Sequence, residues 1–504
     1  MKNGKVYLVG AGPGDWSLIT LRAVELIKTA DCVIYDGLVN PALLGYAPPT
    51  AELISVRKRT GPKPCDQETI NKLIVEKALR GKTVVRLKGG DPGMFGRAPE
   101  EAKRCAEAGI AFEIIPGVTA GLAAAAYCGI FLTDREYSSQ VMFVTGHEAA
   151  GKEESNIDFP LLAKFTGSIV IYMGVGGLDQ ISARLIEHGK AADTPAAVIA
   201  NATLPTQRFV YSSLDEIAGK CRQEQVQAPA IIIIGKAAER DVRFDWFMSQ
   251  PLFGQNIVIT RDERGNVVFS EKILAQGGNP IRYDSIEIQD LTVYDKIQTV
   301  LGSLEDFDWI IFTSANGVRL TFEALAKLGK DARSLARAKV GCIGIETAAC
   351  LGQFGIKADF VPTVYTSSRL AEELTKHTGI KNKKIALLRS AAAAKDLTDA
   401  LTKSGAIVED VGVYTVEPNQ NEPTELIEQI KSGKIDRVTF TSPSTVKAFF
   451  AQVRPGLISA HGVKVVSIGP VTTEQLKELN VIVSAQARTH TIDGLIDALI
   501  KESK

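Results

Sequence analysis

Between Val84 and Arg97 the chain reads Val-Val-Arg-Leu-Lys-Gly-Gly-Asp-Pro-Gly-Met-Phe-Gly-Arg. The apolar start predicts a buried strand, and the glycines around Asp91-Pro92 predict a loop whose backbone lies close against a ligand. Phosphate-cradling loops end in Lys followed by Ser or Thr; this one ends in Asp-Pro, which suits a neutral or cationic ligand better than a polyphosphate. A second glycine turn, Lys5-Val-Tyr-Leu-Val-Gly-Ala-Gly-Pro-Gly-Asp15, imitates the start of a dinucleotide fold, and Asp36 closes the next strand where a ribose-binding acid would stand. Two details oppose that reading. Pro13 occupies the turn that should offer backbone N–H groups to a pyrophosphate, and Asp15 replaces the third glycine. Four cations, Arg57, Lys58, Arg59 and Lys63, crowd into seven residues, which makes either a solvated loop or local charge for an anionic substrate. The second half has no Ser/His/Asp arrangement, no phosphate loop and no metal-ligand cluster; its polar chemistry is hydroxyls at strand ends.

The elements that must position these residues follow an α/β rhythm. Short apolar strands alternate with helical spacing through Leu18–Ala30, Gln67–Arg80, Pro99–Ala108 and an Ala-rich helix opened by Pro116-Gly-Val-Thr-Ala-Gly121. From Arg240 to Gln250 the pattern breaks into a short amphipathic linker, and beyond it the chain repeats itself. Ile257-Val-Ile-Thr-Arg261 returns as Ile385-Ala-Leu-Leu-Arg389, and Phe312-Thr-Ser as Phe440-Thr-Ser, both 128 residues on; Ile343-Gly-Ile-Glu-Thr347 returns at Ile468-Gly-Pro-Val-Thr472, 125 on. Two similar α/β lobes are the simplest explanation, with hydroxyls and helix starts gathered where open sheets bind ligands.

Bulk composition narrows the class. At 504 residues the chain holds three or four domain-sized units, and 58 basic against 58 acidic residues leave no global field for nucleic acid or an anionic membrane. Seven cysteines without a CxxC pair indicate neither zinc nor a disulfide framework, which leaves reduced thiols in a cytoplasm as the expectation. The longest low-charge run, Ala120 to Leu132, is too short to span a bilayer.

Nine motifs in order, VGAGPGD, the Asp36 strand, Arg57-Lys58-Arg59, KGGDPGMFGR, PGVTAG, GIFLTDR, VTGHE, IYMG and NATLPTQ, resemble the tetrapyrrole methylase family, and within it the uroporphyrinogen-III C-methyltransferases. The resemblance covers about residues 1–245 and implies a two-lobed α/β fold (about 1–116 and 117–245), a homodimer, and S-adenosylmethionine held between the lobes and released as S-adenosylhomocysteine. It places cofactor contacts at Pro13, Gly89, Gly90, Asp91, Met94, Thr119, Ala120, Met173, Ala202 and Ala230, a proton acceptor at Asp36 and a proton donor at Lys58. Arg57, Arg59, Lys63, Arg97 and Arg135 are candidates for meeting the carboxylates of a tetrapyrrole. After a linker at 246–251, residues 252–504 resemble uroporphyrinogen-III synthases through FTSANGV, IGIET, LLRS, Val413-Tyr-Thr-Val416, FTSPSTV and IGPVT. That resemblance implies two hinge-linked α/β lobes, 252–289 plus 418–504 and 290–417, with Tyr414 as proton donor; Arg261, Ser314, Tyr365, Ser442 and Thr472 are the cleft residues expected beside it. The competing expectation is an NAD-dependent oxidoreductase fused to a two-lobed, non-enzymatic ligand-binding domain.

Overall fold

The computed structural model describes residues 3–56, 66–146, 157–419 and 423–503. The chain divides into two compact units, the first formed by residues up to Gln255 with Ile273–Asn279 and Ser503, the second by Asn256–Lys272 and Pro280–Glu502. Five strands open the first unit: β1 (Lys5–Gly10), β2 (Cys32–Tyr35), β3 (Glu52–Ser55), β4 (Val84–Lys88) and β5 (Ala111–Ile115). They form an all-parallel sheet in the order β3-β2-β4-β1-β5, with Val6 opposite Val84 and Lys5 opposite Ala111. Parallel strands need crossovers, and helices cover both faces. Helix Leu21–Lys28, which follows β1, packs Ala23, Leu26 and Ile27 onto Val9, Val33, Val85 and Leu87. Helices Gln67–Leu79 and Ala98–Glu107 pack Ile70, Ile74, Ala98 and Cys105 onto Val6, Leu8, Ile34 and Val84 on the other face. The connections leaving neighbouring β1 and β4 therefore depart to opposite faces, which makes their carboxyl ends the topological switch point where open α/β sheets bind ligands.

A second sheet contains β6 (Val141–Thr145), β7 (Ser168–Tyr172), β8 (Pro195–Ala200), β9 (Arg208–Ser213) and β10 (Ala230–Ile234), in the order β6-β7-β10-β8-β9. Only β6 and β7 run parallel; β7, β10, β8 and β9 are successively antiparallel. The Ala-rich helix, Ala120–Tyr127, lies against the Val170, Ala197, Ile199, Ile231 and Ile233 face. The segment read as a linker is anchored in this unit: Trp246 donates its indole N–H to the Ala126 carbonyl at 3.0 Å, and the Trp246 and Phe247 rings each lie 4.8 Å from that of Tyr127.

In the second unit β11 (Asn256–Ile259) and β12 (Asn279–Arg282) begin a third sheet. The chain leaves it to build a fourth from β13 (Ile286–Asp290), β14 (Trp309–Phe312), β15 (Lys339–Cys342), β16 (Lys384–Ser390) and β17 (Ile407–Pro418), then returns with β18 (Arg437–Phe440), β19 (Lys464–Ser467) and β20 (Ala485–Gln486). The orders are β12-β11-β18-β19-β20 and β13-β17-β16-β14-β15. The internal repeat acquires a spatial meaning here. The order β16-β14-β15 matches β11-β18-β19, although β16 comes after β14 and β15 in the chain and β11 before β18 and β19. The outgoing and returning chain segments pair antiparallel as β13 and β17, Ile286 opposite Pro418 and Asp290 opposite Tyr414.

Two predictions follow from packing. A Cβ on Gly117 would sit 2.4 Å from the Gly90 carbonyl oxygen, whereas Gly176 has open space around it. Gly117→Ala is expected to destabilise the first unit by about 1–3 kcal/mol and Gly176→Ala to leave it unchanged, read as urea midpoints. In the fourth sheet the buried Arg389 guanidinium holds Asp410 through Nε (2.8 Å) and Nη2 (2.5 Å) and keeps that carboxyl below its ordinary range. A depressed folded-state value stabilises above the ordinary carboxylate pKa of about 4 and ceases to do so as pH falls below it. Asp410→Asn should cost the second unit about 3–5 kcal/mol at neutral pH and flatten its acid dependence below about pH 5, measured as urea midpoints across pH.

Candidate active sites

At the switch point three strand ends meet backbone to backbone. Gly90 N–H donates to Gly12 O at 2.7 Å, Gly12 N–H returns a bond to Gly90 O at 3.2 Å, and both glycines have positive φ, 70° and 78°. A Cβ on Gly10 would approach Gly117 N to 2.6 Å, so the loop after β5 closes the junction from the third side. Asp91 ties it: Oδ1 accepts the Gly93 N–H at 2.8 Å and Oδ2 the Gly117 N–H at 2.9 Å. The residue expected to touch the ligand thus also organises the loop that would hold it.

The second sheet supplies the opposite wall. Met94, Ala120 and Ala202 pack against one cluster built on Val170, Tyr172, Ile199 and Ile231. Gly90 faces the start of helix Ala120–Tyr127, with space for a Cβ 3.6 Å from Ala120 N. Tyr172 fixes that helix start by accepting the Gly121 N–H and bonding the Thr119 hydroxyl, each at 2.8 Å. Ala230 pairs with Ala200, and Met173, at the end of β7, is half exposed. The first glycine turn is latched to this wall: Asp15 N–H donates to Thr203 Oγ1 at 2.9 Å and Tyr127 Oη donates to Asp15 Oδ2 at 2.7 Å. A Cβ on Gly14, beside Pro13, would meet Thr203 Oγ1 at 2.9 Å. Among the described residues eight non-glycines have positive φ, and five of them, Phe95, Arg97, Met173, Asn201 and Thr203, lie in the loops after β4, β7 and β8 around this opening. Strained backbone concentrated in this way is characteristic of ligand clamps.

Asp36, at the end of β2, is held from behind. Arg86 Nη2 donates to its Oδ1 at 2.5 Å, while Arg86 Nε donates to Glu101 Oε1 at 3.0 Å and Nη1 to the Leu87 carbonyl at 3.2 Å. Lys88 Nζ reaches both Glu101 oxygens at 2.8 and 2.9 Å. Arg86, Lys88 and Glu101 are all buried, and burial pushes the Lys88 ammonium below its usual range. Two cations and two carboxylates balance in charge, as buried ions must. This network was not among the expected site residues; two cations alternating within a central strand, Arg86 and Lys88, were its signal. Arg97 forms two 2.7 Å bonds to Glu100, and Arg135 is exposed. Arg57, Lys58, Arg59 and Lys63 lie outside the described residues.

In the second unit Ser314 and Ser442, the repeat partners, each cap a helix following a strand, Ala315–Lys327 and Pro443–Gln452. Tyr414 Oη donates to Ser314 Oγ at 2.9 Å. Tyr365 is exposed over Gly344, where a Cβ would lie 3.1 Å from its ring, at the start of the helix after β15. Arg261 and Ser442 follow adjacent strands β11 and β18. Thr472 lies on helix Pro470–Glu478 and is 3% exposed, beside Val471 at 70%.

Comparison with known proteins places the chain in a family. A family model described as tetrapyrrole (corrin/porphyrin) methylases matches residues 5–218, and one described as uroporphyrinogen-III synthase HemD matches residues 267–497. A porphyrin biosynthesis protein HemD of Ruminiclostridium josui is 36% identical over 501 residues, covering 99% of this chain and 98% of that protein. The chain belongs to the family of tetrapyrrole methylase–uroporphyrinogen-III synthase fusions. The chain is also 39% identical, over a 335-residue match spanning 66% of this chain and 68% of that protein, to a uroporphyrinogen-III C-methyltransferase of Bacillus subtilis. A solved uroporphyrin-III C-methyl transferase from Thermus thermophilus, complexed with S-adenyl homocysteine, shares 36% identity over 46% of this chain and 98% of that one, with a TM-score of 0.41.

Removing one member of the buried methylase network should expose its charge balance. Arg86→Leu leaves Asp36 without its cation and Glu101 with one fewer, and is expected to cost about 3–5 kcal/mol. Arg86→Lys keeps the charge but not the fork that spans Asp36 and Glu101, so it should fall between the wild type and Arg86→Leu in urea denaturation.

Proposed function

We propose that the second half of the chain cyclises hydroxymethylbilane to uroporphyrinogen III, and that the first half methylates that product at C-2 and C-7, using two S-adenosylmethionine to give precorrin-2 for sirohaem or cobalamin synthesis. The observation that carries the reading is a relative matched almost end to end, with a family model on each half.

The methylase opening fits S-adenosylmethionine chemically. Its walls are glycine backbone, Met94, Ala120, Met173 and Ala202, with loop carbonyls and Asp91 as the polar groups, an environment for a cationic, largely apolar ligand. A dinucleotide suits it less: residues Trp16–Leu18 form a 3-10 turn and helix Leu21–Lys28 begins only after Thr20, so no helix start rises directly from the glycine turn towards a pyrophosphate. When bound, the cofactor supplies an electrophilic methyl group on sulphonium. The chain's part is to align acceptor carbon and methyl, exclude water with the apolar wall, and accept the ring proton that leaves. Asp36 takes that proton, with Arg86 fixing the carboxylate's orientation, and Lys58 acts as proton donor. The cations Arg57, Arg59, Lys63, Arg97 and Arg135 meet substrate carboxylates. In the synthase half, which mainly has to curl its substrate and help a hydroxyl depart, Tyr414, Ser314, Arg261, Tyr365 and Ser442 form the cleft.

The homodimer is assigned to the methylase half. A groove of about 690 Å³ lined by Leu122, Phe131, Val141, Phe143, Phe244 and Trp246 borders edge strand β6, and Leu122, Phe131, Phe244 and Trp246 are exposed on it, an apolar surface that a second copy would cover. Among the described residues no helix is long and apolar enough to cross a membrane, and the six described cysteines are free thiols, which supports a cytoplasmic setting.

The decisive experiment supplies hydroxymethylbilane to the full chain with and without S-adenosylmethionine. Uroporphyrinogen III is expected without the cofactor, and a doubly methylated product with it. Asp36→Asn should lower methyl transfer about 10²- to 10⁴-fold while cofactor affinity by calorimetry stays within about threefold. Loss of cofactor binding in that variant would remove the proton-acceptor role.

A further inference from the structure

The Tyr414 phenol is only 6% exposed, whereas Ser314 is half-buried. Ser314 Oγ accepts two hydrogen bonds, from Tyr414 Oη–H at 2.9 Å and from Gly317 N–H at 3.0 Å. A hydroxyl has two acceptor lone pairs and one donor hydrogen, so Ser314 has spent its acceptor capacity on the protein and keeps its hydrogen to give. Gly317 holds the arrangement tight, since a Cβ there would stand 3.3 Å from Ser314 Oγ and 3.0 Å from the Leu388 carbonyl. The repeat partner provides an internal contrast. Ser442 Oγ accepts the Thr445 N–H at 3.2 Å and pairs with the Ser444 hydroxyl at 2.8 Å, with no phenol bonded to it among the described residues. Capping a helix after a strand does not of itself require a buried tyrosine.

We infer that Ser314 is the group that delivers the proton to the departing hydroxyl in the synthase half, and that Tyr414 stands behind it as the residue that reloads and orients it. The inference rests on the synthase reading above. In the step, the bond between the hydroxymethyl carbon and its oxygen breaks with both electrons going to oxygen. The Ser314 hydroxyl proton joins that oxygen to release water, and the Tyr414 phenol proton moves to Ser314 Oγ. The pyrrole carbon that forms the ring-closing bond later loses its proton, which restores the phenol. Water is the only net product besides the macrocycle, and no co-reactant is needed. Burial, reinforced by the charge of Asp262 and opposed by the Ser314 bond, raises Tyr414 above the usual phenol value, so the proton is in place at neutral pH.

The test uses the full-length chain supplied with hydroxymethylbilane, scored for uroporphyrinogen III against the spontaneous I isomer, with melting temperatures alongside. Ser314→Asn keeps a good helix cap but has no hydroxyl; it should melt like wild type and lose about 100-fold in kcat with KM within about twofold. Ser314→Thr retains cap and hydroxyl and should recover most of the rate. Tyr414→Phe should also slow turnover, and adding it to Ser314→Asn should cost little more, because the two act in series. Ser314→Asn within about threefold of wild type, or losses that multiply in the double variant, would overturn the relay. A wild-type chain yielding only the spontaneous isomer would instead overturn the synthase reading itself.

Discussion

The first unit depends on the absence of side chains at one spot. The ends of β1, β4 and β5 approach so closely that Gly10 and Gly117 have backbone where a Cβ would stand, and two backbone hydrogen bonds between Gly12 and Gly90 fasten the contact. Those bonds satisfy polar groups that would otherwise be orphaned at strand ends. The Asp91 carboxylate adds two more, accepting the Gly93 and Gly117 N–H groups. A ligand wall made of backbone is rigid and close-fitting, and it tolerates almost no substitution.

Behind that wall the sheet carries charge. Arg86 and Lys88 point from β4 to the face covered by helix Ala98–Glu107, where Glu101 receives both, and Arg86 passes the connection on to Asp36 at the end of β2. An all-apolar core would be at least as stable. What the ions add is orientation: the guanidinium fork allows Asp36 few alternatives, which suits the proton-acceptor role proposed for it. The latch from Tyr127 and Thr203 to Asp15 does the same for the two halves of the methylase unit, bringing the turn after β1 against the loop after β8.

Much of this was legible in the residues. Glycine turns after apolar strands, the α/β alternation and the 128-residue repeat all follow from local chemistry, and each found its place in the fold. What escaped depended on tertiary partners. Whether Arg86 and Lys88 face water or a carboxylate is decided by Glu101, on a helix the strand pattern cannot see. Strand β9 was unread because its apolar stretch, Phe209-Val210-Tyr211, is only three residues long between Arg208 and Ser212. Residues 246–251 looked like a spacer because Trp246 and Phe247 find their partner, Tyr127, only after the Ala-rich helix has docked.

The repeat in the second unit explains why its two sheets are chemically unequal. Equivalent strands occupy equivalent positions, yet the third sheet is assembled from both ends of the segment and the fourth from its middle, so only the fourth owns the long return strand β17. That strand first pairs with β16 and then, past a shift in register at Ser390, crosses to β13. Tyr414 sits at this change of partners, opposite both Ser390 and Asp290. The asymmetry of connection is thus what puts a phenol behind Ser314 and none behind Ser442, and two similar lobes acquire different chemistry from the route of the chain between them.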